Sequence, residues 1–328
     1  MMKEKTEANP NAEVPAVREL NLMGTRIPAR GYRCARDGGP YLPKPDPVKL
    51  QLSILLTRFC GARCFFCIAA PTTDPERIDP ERLRKTLLDL READCVRGIS
   101  ITGGEPFTDP VLLDEVISLV FGIFGYGMEV TLDTNGSGIR SLGSLRDLYH
   151  LDTVHISRHH WDDARNDRIF GRAMPTAREL QSAVRETACP DLFVLNCMLL
   201  RGGVETPEDA RRYLDFALET GAGQAAFITA DPVNAETAAR RVDYEDVLRD
   251  GDPSLLFTRG YRDFGRCRCR DGVYVSPRGQ LIRFYGRCTL GGDGGGFCRG
   301  LVIEPDGTLR AGFRGPVIAG KEEPLERE

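Results

Sequence analysis

From residue 48 onward, short apolar runs alternate with amphipathic stretches, and this alternation constrains the fold more than any other feature of the chain. Residues 48–56 form an apolar run that reads as a buried strand, and 98–102 form a second. Further strand-like runs cover 128–133, 153–157, 192–200 and 225–229. Helical patterns lie between them. One opens at Asp79-Pro80-Glu81, with Asp79 as N-cap and Pro80 at the first helical position, and Leu83, Leu87, Leu88 and Leu90 supply its apolar face. Others cover 111–121, 177–187 and the stretch capped by Thr206. Strand–helix units of roughly 20–40 residues argue for parallel βα units. Six such units fit an α/β fold of the partial (β/α)6, TIM-like barrel kind, with its chemistry at the C-terminal ends of the strands.

Two motifs fall at those ends. After the first strand come Cys60, Cys64 and Cys67, spaced C-x3-C-x2-C, which place three thiols on one loop. Cluster iron prefers thiolate sulfur, and a [4Fe–4S] cubane takes four ligands, so three leave one iron open to a small molecule. A zinc site ordinarily shows paired C-x2-C units or histidine at ligand spacing, and no fourth ligand lies nearby. A disulfide needs an oxidising compartment, and no secretory signal precedes the motif. The second strand ends in Gly103-Gly104-Glu105-Pro106. Alone, a Gly-Gly pair reads as a simple turn.

Together and in this order, the two motifs resemble the radical S-adenosylmethionine (SAM) superfamily, including the aromatic Phe66 before the third cysteine. The resemblance covers roughly residues 48–235, more weakly the C-terminal segment. It implies a [4Fe–4S] cluster on Cys60, Cys64 and Cys67, with SAM chelating the open iron. It further implies reductive cleavage of SAM to methionine and a 5′-deoxyadenosyl radical, fed by a flavodoxin- or ferredoxin-type electron donor. By the same resemblance Phe66, Gly103, Gly104, Glu105, Thr134, Asn135 and Ser157 contact SAM, with Gly104 offering backbone to the methionine amino group. Glycine there lets backbone approach a ligand without a Cβ in the way. Asn166-Asp167-Arg168-Ile169-Phe170-Gly171 is similar to a His-Asp-Arg-Ile-Arg-Gly stretch of the family. Arg158-His159-His160 departs from the family's pattern. These three are candidate catalytic residues, able to donate protons or hydrogen bonds to substrate, or else surface loop residues.

Composition sets outer bounds. With 328 residues, 41% hydrophobic and 28% charged, the chain can bury a full core with a smaller appendage. A net charge of -4 gives no reason to expect nucleic acid or an anionic membrane as partner. Charged residues interrupt every long apolar stretch, so no transmembrane helix is expected. Eleven cysteines without a signal peptide fit a reducing cytoplasm and metal ligation. Three regions are expected: 1–47, an N-terminal extension, partly disordered over its first fifteen residues; 48–235, the barrel; and 236–328, a C-terminal segment dense in Gly and Arg.

The last region holds Cys267, Cys269, Cys288 and Cys298. Cys269 and Cys298 each lead into an alternating strand, a Pro-x-Gly turn and a second strand, which is a duplicated β-hairpin signature. Small hairpins are marginal alone, so a metal centre is expected to tie them down. The four cysteines suit an auxiliary [4Fe–4S] cluster of the twitch or SPASM type, a structural zinc, or free thiols. Arg266, Arg268, Arg270, Arg287 and Arg299 border them, either for an anionic substrate, to tune a cluster, or as a solvated face. Cys34, Cys95, Cys189 and Cys197 are scattered singly and are assigned no role, though Cys34 lies near enough in sequence to the cysteine loop to stay a candidate ligand.

Relatives that make the molybdenum-cofactor precursor from GTP carry arginines in the first strand and just before Thr-Gly-Gly-Glu-Pro, and a lysine two residues before an asparagine on a later strand. Here those positions read Gln51 or Ser53, then Ser100, then Val194, so GTP is disfavoured. The expected activity is radical SAM chemistry on a small metabolite in specialised biosynthesis, with net oxidation through the auxiliary cluster. Two other readings stand: a maturase acting on a small ribosomal peptide, and an iron–sulfur carrier without SAM chemistry.

Overall fold

The computed structural model describes residues 18–29, 49–69, 72–73, 75–247, 262–266, 272–275, 280–285, 298 and 300–320. An antiparallel hairpin that patterning did not reveal comes first, β1 (Arg18–Leu22) against β2 (Thr25–Ala29). Its turn residues Met23 and Gly24 sit at φ 50° and 82°, the paired positive dihedrals that suit the right-handed twist of a two-residue hairpin. The expected disorder of the first fifteen residues, and Cys34, lie outside the described residues.

Six parallel strands follow: β3 (Leu50–Leu55), β4 (Val96–Thr102), β5 (Glu129–Thr134), β6 (Thr153–Ser157), β7 (Phe193–Leu199) and β8 (Gln224–Thr229). They pair in sequence order. Between them run α1 (Pro80–Glu92), α2 (Pro110–Phe124), α3 (Asp163–Phe170), α4 (Ala177–Glu186) and α5 (Pro207–Thr220). After β8 come α6 (Ala235–Arg240) and α7 (Tyr244–Val247). The expected α/β class and parallel sheet are observed. Helix starts obey their caps: Asp79 accepts from the Arg82 N–H at 2.8 Å, and Thr206 with Asp209 closes a capping box. Leu83, Leu87 and Leu90 are buried beneath α1, each worth about 1.5–3 kcal/mol. Leu88, expected on that face, is 43% exposed, because it falls on the opposite side of the turn.

One face of the sheet carries Ile99, Ile101, Val130, Leu132, Val154 and Ile156 into a core shared with α1 and α2. Alternation turns Ser100, Thr131, Asp133, Thr153, His155 and Ser157 to the other face, which lines the barrel interior.

The duplicated hairpins are present, and the sheet itself holds them. β11 (Leu281–Tyr285) pairs in parallel with β8 and continues to β10 (Gly272–Val275) and β9 (Arg262–Arg266). β12 (Gly300–Ile303) pairs in parallel with β3 and continues to β13 (Leu309–Arg310) and β14 (Val317–Ala319). Twelve strands thus form one open sheet whose edges are β14 and β9. A metal is therefore not required to tie the hairpins down, since main-chain ladders to β8 and β3 do so.

Candidate active site

The loop after β3 and the loop after β4 are zipped together through backbone. Gly104 donates its N–H to the Thr57 carbonyl at 2.6 Å, and Glu105 donates to the Phe59 carbonyl at 2.9 Å. A Cβ on Gly104 would lie 2.1 Å from the Phe59 carbonyl oxygen, and one on Gly103, at φ +145°, 2.6 Å from the Thr57 oxygen. The glycine pair is thus needed first for two loops to touch, whereas the sequence pointed to ligand approach. The Gly104 N–H is committed to that contact.

Glu105 is buried and fully occupied. Its carboxylate accepts from the Thr134 hydroxyl and the Asn135 N–H, each at 2.7 Å, and from the Phe107 N–H at 3.1 Å. Burial pushes its pKa up, and these hydrogen bonds oppose that shift. Thr134 in turn accepts from the Gly136 N–H. Both side chains therefore bracket the loop after β5 against the loop after β4. Asn135 reaches further, donating its Nδ2–H to Cys60 Sγ at 3.5 Å.

Cys60, Cys64 and Cys67 are half-buried and in no disulfide. Burial, followed by the charges of Cys67 and Cys60, pushes the Cys64 thiol up to about 12. Among the described residues no group converges on a single ion, whereas the ligands of a cubane each hold a different iron. Three thiols on one loop, and backbone packed too closely for a Cβ, fit a cluster of open coordination. A buried Asn196 Oδ1 without a partner, in register with Ser157, leaves a polar acceptor for a bound ligand. When bound, the cluster and SAM would supply one-electron cleavage chemistry at this loop.

Second contacts fix the loop. Arg58 donates to the Ala69 carbonyl at 3.1 Å and to Glu304, just past β12, at 2.5 Å. The Phe65 carbonyl accepts from Asn234 at 2.6 Å and from Thr237 at 3.1 Å, at the start of α6. Arg172 lies against Gly61, and its charge bears on both Cys60 and Glu105. Sequence reasoning missed Arg58, Glu304 and Arg172, although Arg172 directly follows the recognised stretch that ends at Gly171.

The 158–160 triplet is buried, which removes the surface-loop reading. Arg158 is a clamp: its guanidinium donates to the carbonyls of His160, Trp161 and Pro175 and to Asp163. His159 accepts from the Met198 N–H at Nδ1, stacks on Phe170 at 4.7 Å and meets the edge of Phe66 at 5.1 Å. Of the three, it alone is placed against the cysteine loop. His160 packs on Trp161 and accepts from the Asp162 N–H, with its Nε2 buried and without a partner.

Burial, then the Arg158 charge, pushes His159 down to about 3, and burial, then Arg165, pushes His160 down to about 4. Both are neutral in the folded chain at pH 5, whereas an unfolded histidine titrates near ~6.5. The unfolded chain therefore binds more protons below that pH, and stability falls as pH falls. From pH 7 to 5 the loss due to His159 is about 2 kcal/mol. His159→Gln is expected to remove that part of the drop in the urea midpoint between pH 7 and pH 5, and an unchanged drop would refute it.

Of the C-terminal cysteines, Cys267, Cys269 and Cys288 lie outside the described residues. Cys298 is buried, donates its thiol to the Gly300 carbonyl at 3.0 Å, and donates its N–H to Pro28 beside the β1–β2 hairpin. Gly300 pairs with Gln51 in a parallel ladder, so Cys298 sits at the N-terminal end of the sheet, opposite the Cys60 loop. β9 and β11 both finish at the other end, as Gly272 pairs with Arg266 and Phe284. Cys298 is therefore separated from the ends of β9 and β11 by the length of the sheet. Of the bordering arginines, none has a described side chain. Cys95 and Cys197 are buried, donating weakly to the carbonyls of Leu90 and His159.

Residues 54–217 match the radical SAM superfamily. The chain belongs to that superfamily. As a member of that superfamily it has curated relatives and solved structural neighbours. The GTP 3′,8-cyclase of Paracoccus denitrificans is 26% identical over 328 aligned positions, covering 90% of this chain and 88% of the relative. A probable GTP 3′,8-cyclase of Thermococcus kodakarensis is 32% identical over 128 positions, and the match spans only 37% of this chain and 38% of the relative. The chain shares its fold with Streptococcus suis SuiB bound to the precursor peptide SuiA, at TM-score 0.56 and 15% identity, over 81% of this chain and 60% of that one. A second neighbour is anSMEcpe with bound AdoMet, at TM-score 0.51 and 15% identity, over 81% and 75%. Among the described residues no helix is long and apolar enough to cross a membrane.

Proposed function

We propose that this radical SAM enzyme abstracts hydrogen from a small metabolite that is not a nucleoside triphosphate. The observation that carries the reading is the polar barrel interior beneath the cysteine loop. Gln51, Ser53, Ser100 and Val194, where the GTP-using relatives are cationic, place no charge there, and they lie on the ladder positions of β3, β4 and β7. The whole-length relative from Paracoccus denitrificans supports a small-molecule substrate, whereas the likeness to SuiB is one of fold. Phe66, Gly104, Asn135, Ser157 and His159 would hold and orient SAM, and Arg58, Glu105 and Thr134 would keep their loops in place. Cytoplasmic work with a flavodoxin- or ferredoxin-type donor belongs to this reading. Anaerobic reconstitution with iron, sulfide, SAM and dithionite is the test. 5′-Deoxyadenosine is the expected product, and its absence under every condition would favour an iron–sulfur carrier.

An auxiliary cluster remains part of the proposal, resting on the cysteine content of 267–288 and not on Cys298. It would accept an electron from a substrate radical and so favour net oxidation. The triple replacement of Cys60, Cys64 and Cys67 by alanine is expected to retain about four irons per chain, the content of one cubane. Adding Cys298→Ser to it is expected to leave that iron unchanged. Zinc, or no metal, in the triple variant would end both the auxiliary cluster and the oxidative inference.

A further inference from the structure

One group of polar side chains on the barrel's inner face belongs to neither the cysteine loop nor its supports. Asp133 of β5 accepts from His155 Nδ1 of β6 at 3.0 Å through one oxygen, and from the Ser100 hydroxyl of β4 at 2.5 Å through the other. His155 Nε2 meets the Thr153 hydroxyl at 3.1 Å. Three adjacent strands thus fix one carboxylate. Ladder pairing places Asp133 beside His155, one residue before Thr134 and one pleat below Ser157. The couple therefore stands directly under the loops that carry the chemistry.

Its electrostatics are those of an acceptor. Desolvation pushes the Asp133 pKa up, but the hydrogen bond and charge of His155, with the Ser100 hydroxyl, outweigh it and hold the carboxyl below its ordinary range. The carboxylate is thus ionised at neutral pH. The Asp133 side chain keeps 36% of its surface exposed, and a carboxylate offers about four lone-pair positions, of which two are filled here. Around it Gln51, Ser53, Thr131 and Thr153 add hydrogen-bonding capacity, Val194 adds an apolar side chain, and none of the five is a cation. The lumen-side guanidinium of Arg283 stands on β11, beyond β8. A phosphate brought to this wall would face an ionised carboxylate whose partner on the neighbouring strand, His155, is already committed to it, whereas an ammonium or hydroxyl would fill its open lone pairs.

We infer that the Asp133–His155 couple, braced by Ser100 and Thr153, anchors the substrate, and that the substrate is a small metabolite presenting amine or hydroxyl donors and no phosphate. This rests on the small-metabolite reading above and names the class of molecule that reading leaves open. Asp133 is a binding residue here. Ser100 acts through it and is a positioning residue.

The test reads the origin of the abstracted hydrogen. Metabolites are extracted from cells of the producing organism grown in deuterated medium. They are split into a fraction retained by a cation exchanger, one retained by an anion exchanger, and one retained by neither. Each is added to the reconstituted full-length enzyme with unlabelled SAM and dithionite, and 5′-deoxyadenosine is analysed by mass. Deuterium is expected from the cation-retained or the unretained fraction. Asp133→Asn at matched iron content should lower that labelling at least about tenfold, as expected for losing a charge-assisted hydrogen bond. Ser100→Ala, which leaves the carboxylate in place, should lower it by about threefold, the size of a neutral hydrogen bond. Labelling from the anion-retained fraction alone, formation of 5′-deoxyadenosine driven by added GTP, or wild-type labelling in Asp133→Asn would each overturn the inference. Unlabelled 5′-deoxyadenosine with all three fractions would instead remove the small-metabolite reading, and this inference with it.

Discussion

Replacing Cys60, Cys64 and Cys67 together with alanine is expected to abolish 5′-deoxyadenosine formation and to remove about four irons per chain, the content of one cubane. The three thiols are in no disulfide and share a loop that other elements hold in place. Arg58 and Glu304 pin its start to the β12–β13 hairpin, and Asn234 and Thr237 pin the Phe65 carbonyl. The fold around the loop is hydrogen-bonded independently of the cysteines, so the variant should keep its secondary structure by circular dichroism. Retained 5′-deoxyadenosine formation in the triple variant would refute the assignment of the loop.

Gly104→Ala is expected to be the most damaging single change that removes no ligand. The added Cβ would meet the Phe59 carbonyl oxygen at 2.1 Å and its carbon at 2.5 Å. Both are backbone atoms, and no rotamer change relieves them. The clash forces the loop after β4 away from the cysteine loop, breaking the Gly104–Thr57 and Glu105–Phe59 hydrogen bonds. Overpacking of this kind costs about 1–3 kcal/mol or more. Iron content should fall below about half, and SAM affinity at least about tenfold, as more than 1.4 kcal/mol of loop distortion is set against binding. Gly122→Ala is the control, since nothing lies within 4 Å of a Cβ in that α2 position. Helix propensity favours alanine there by about 1 kcal/mol. Wild-type iron content and SAM affinity in Gly104→Ala would show that the two loops need not touch.

The same contacts show how the C-terminal segment takes part. Its hairpins extend the sheet at β3 and β8 and do not stand apart from it. Glu304, at the end of β12, is buried and paired with Arg58 at 2.5 Å, with Arg310 at 3.7 Å. Removing Arg58 leaves the buried Glu304 carboxylate with only the longer Arg310 contact, which is costly where the pair itself contributes little. The C-terminal hairpin is thereby part of the support of the cysteine loop.

The sequence by itself determined the parallel strands, their order and the loops that carry the chemistry. Hydrophobic period and cap residues are local signals, and at Asp79 and Thr206 they set helix starts that the structure repeats. The cysteine and glycine motifs are local for the same reason, because three ligands on one loop must be near in sequence. Tertiary structure alone decided the rest. Alternation within a strand does not say which strand its neighbour will be, so the pairing of β12 with β3 and of β11 with β8 was not legible. Nor was the position of Cys298 at the far end of the sheet, which follows from that pairing. Arg158 looked like a reactive departure from the family pattern, yet its partners His160, Trp161, Asp163 and Pro175 make it a clamp. Asp133 and His155 stand twenty-two residues apart, and only the ladder between β5 and β6 brings them to 3.0 Å. Their chemistry depends on long-range register, and register is fixed by burial of the sheet's other face rather than by the residues themselves.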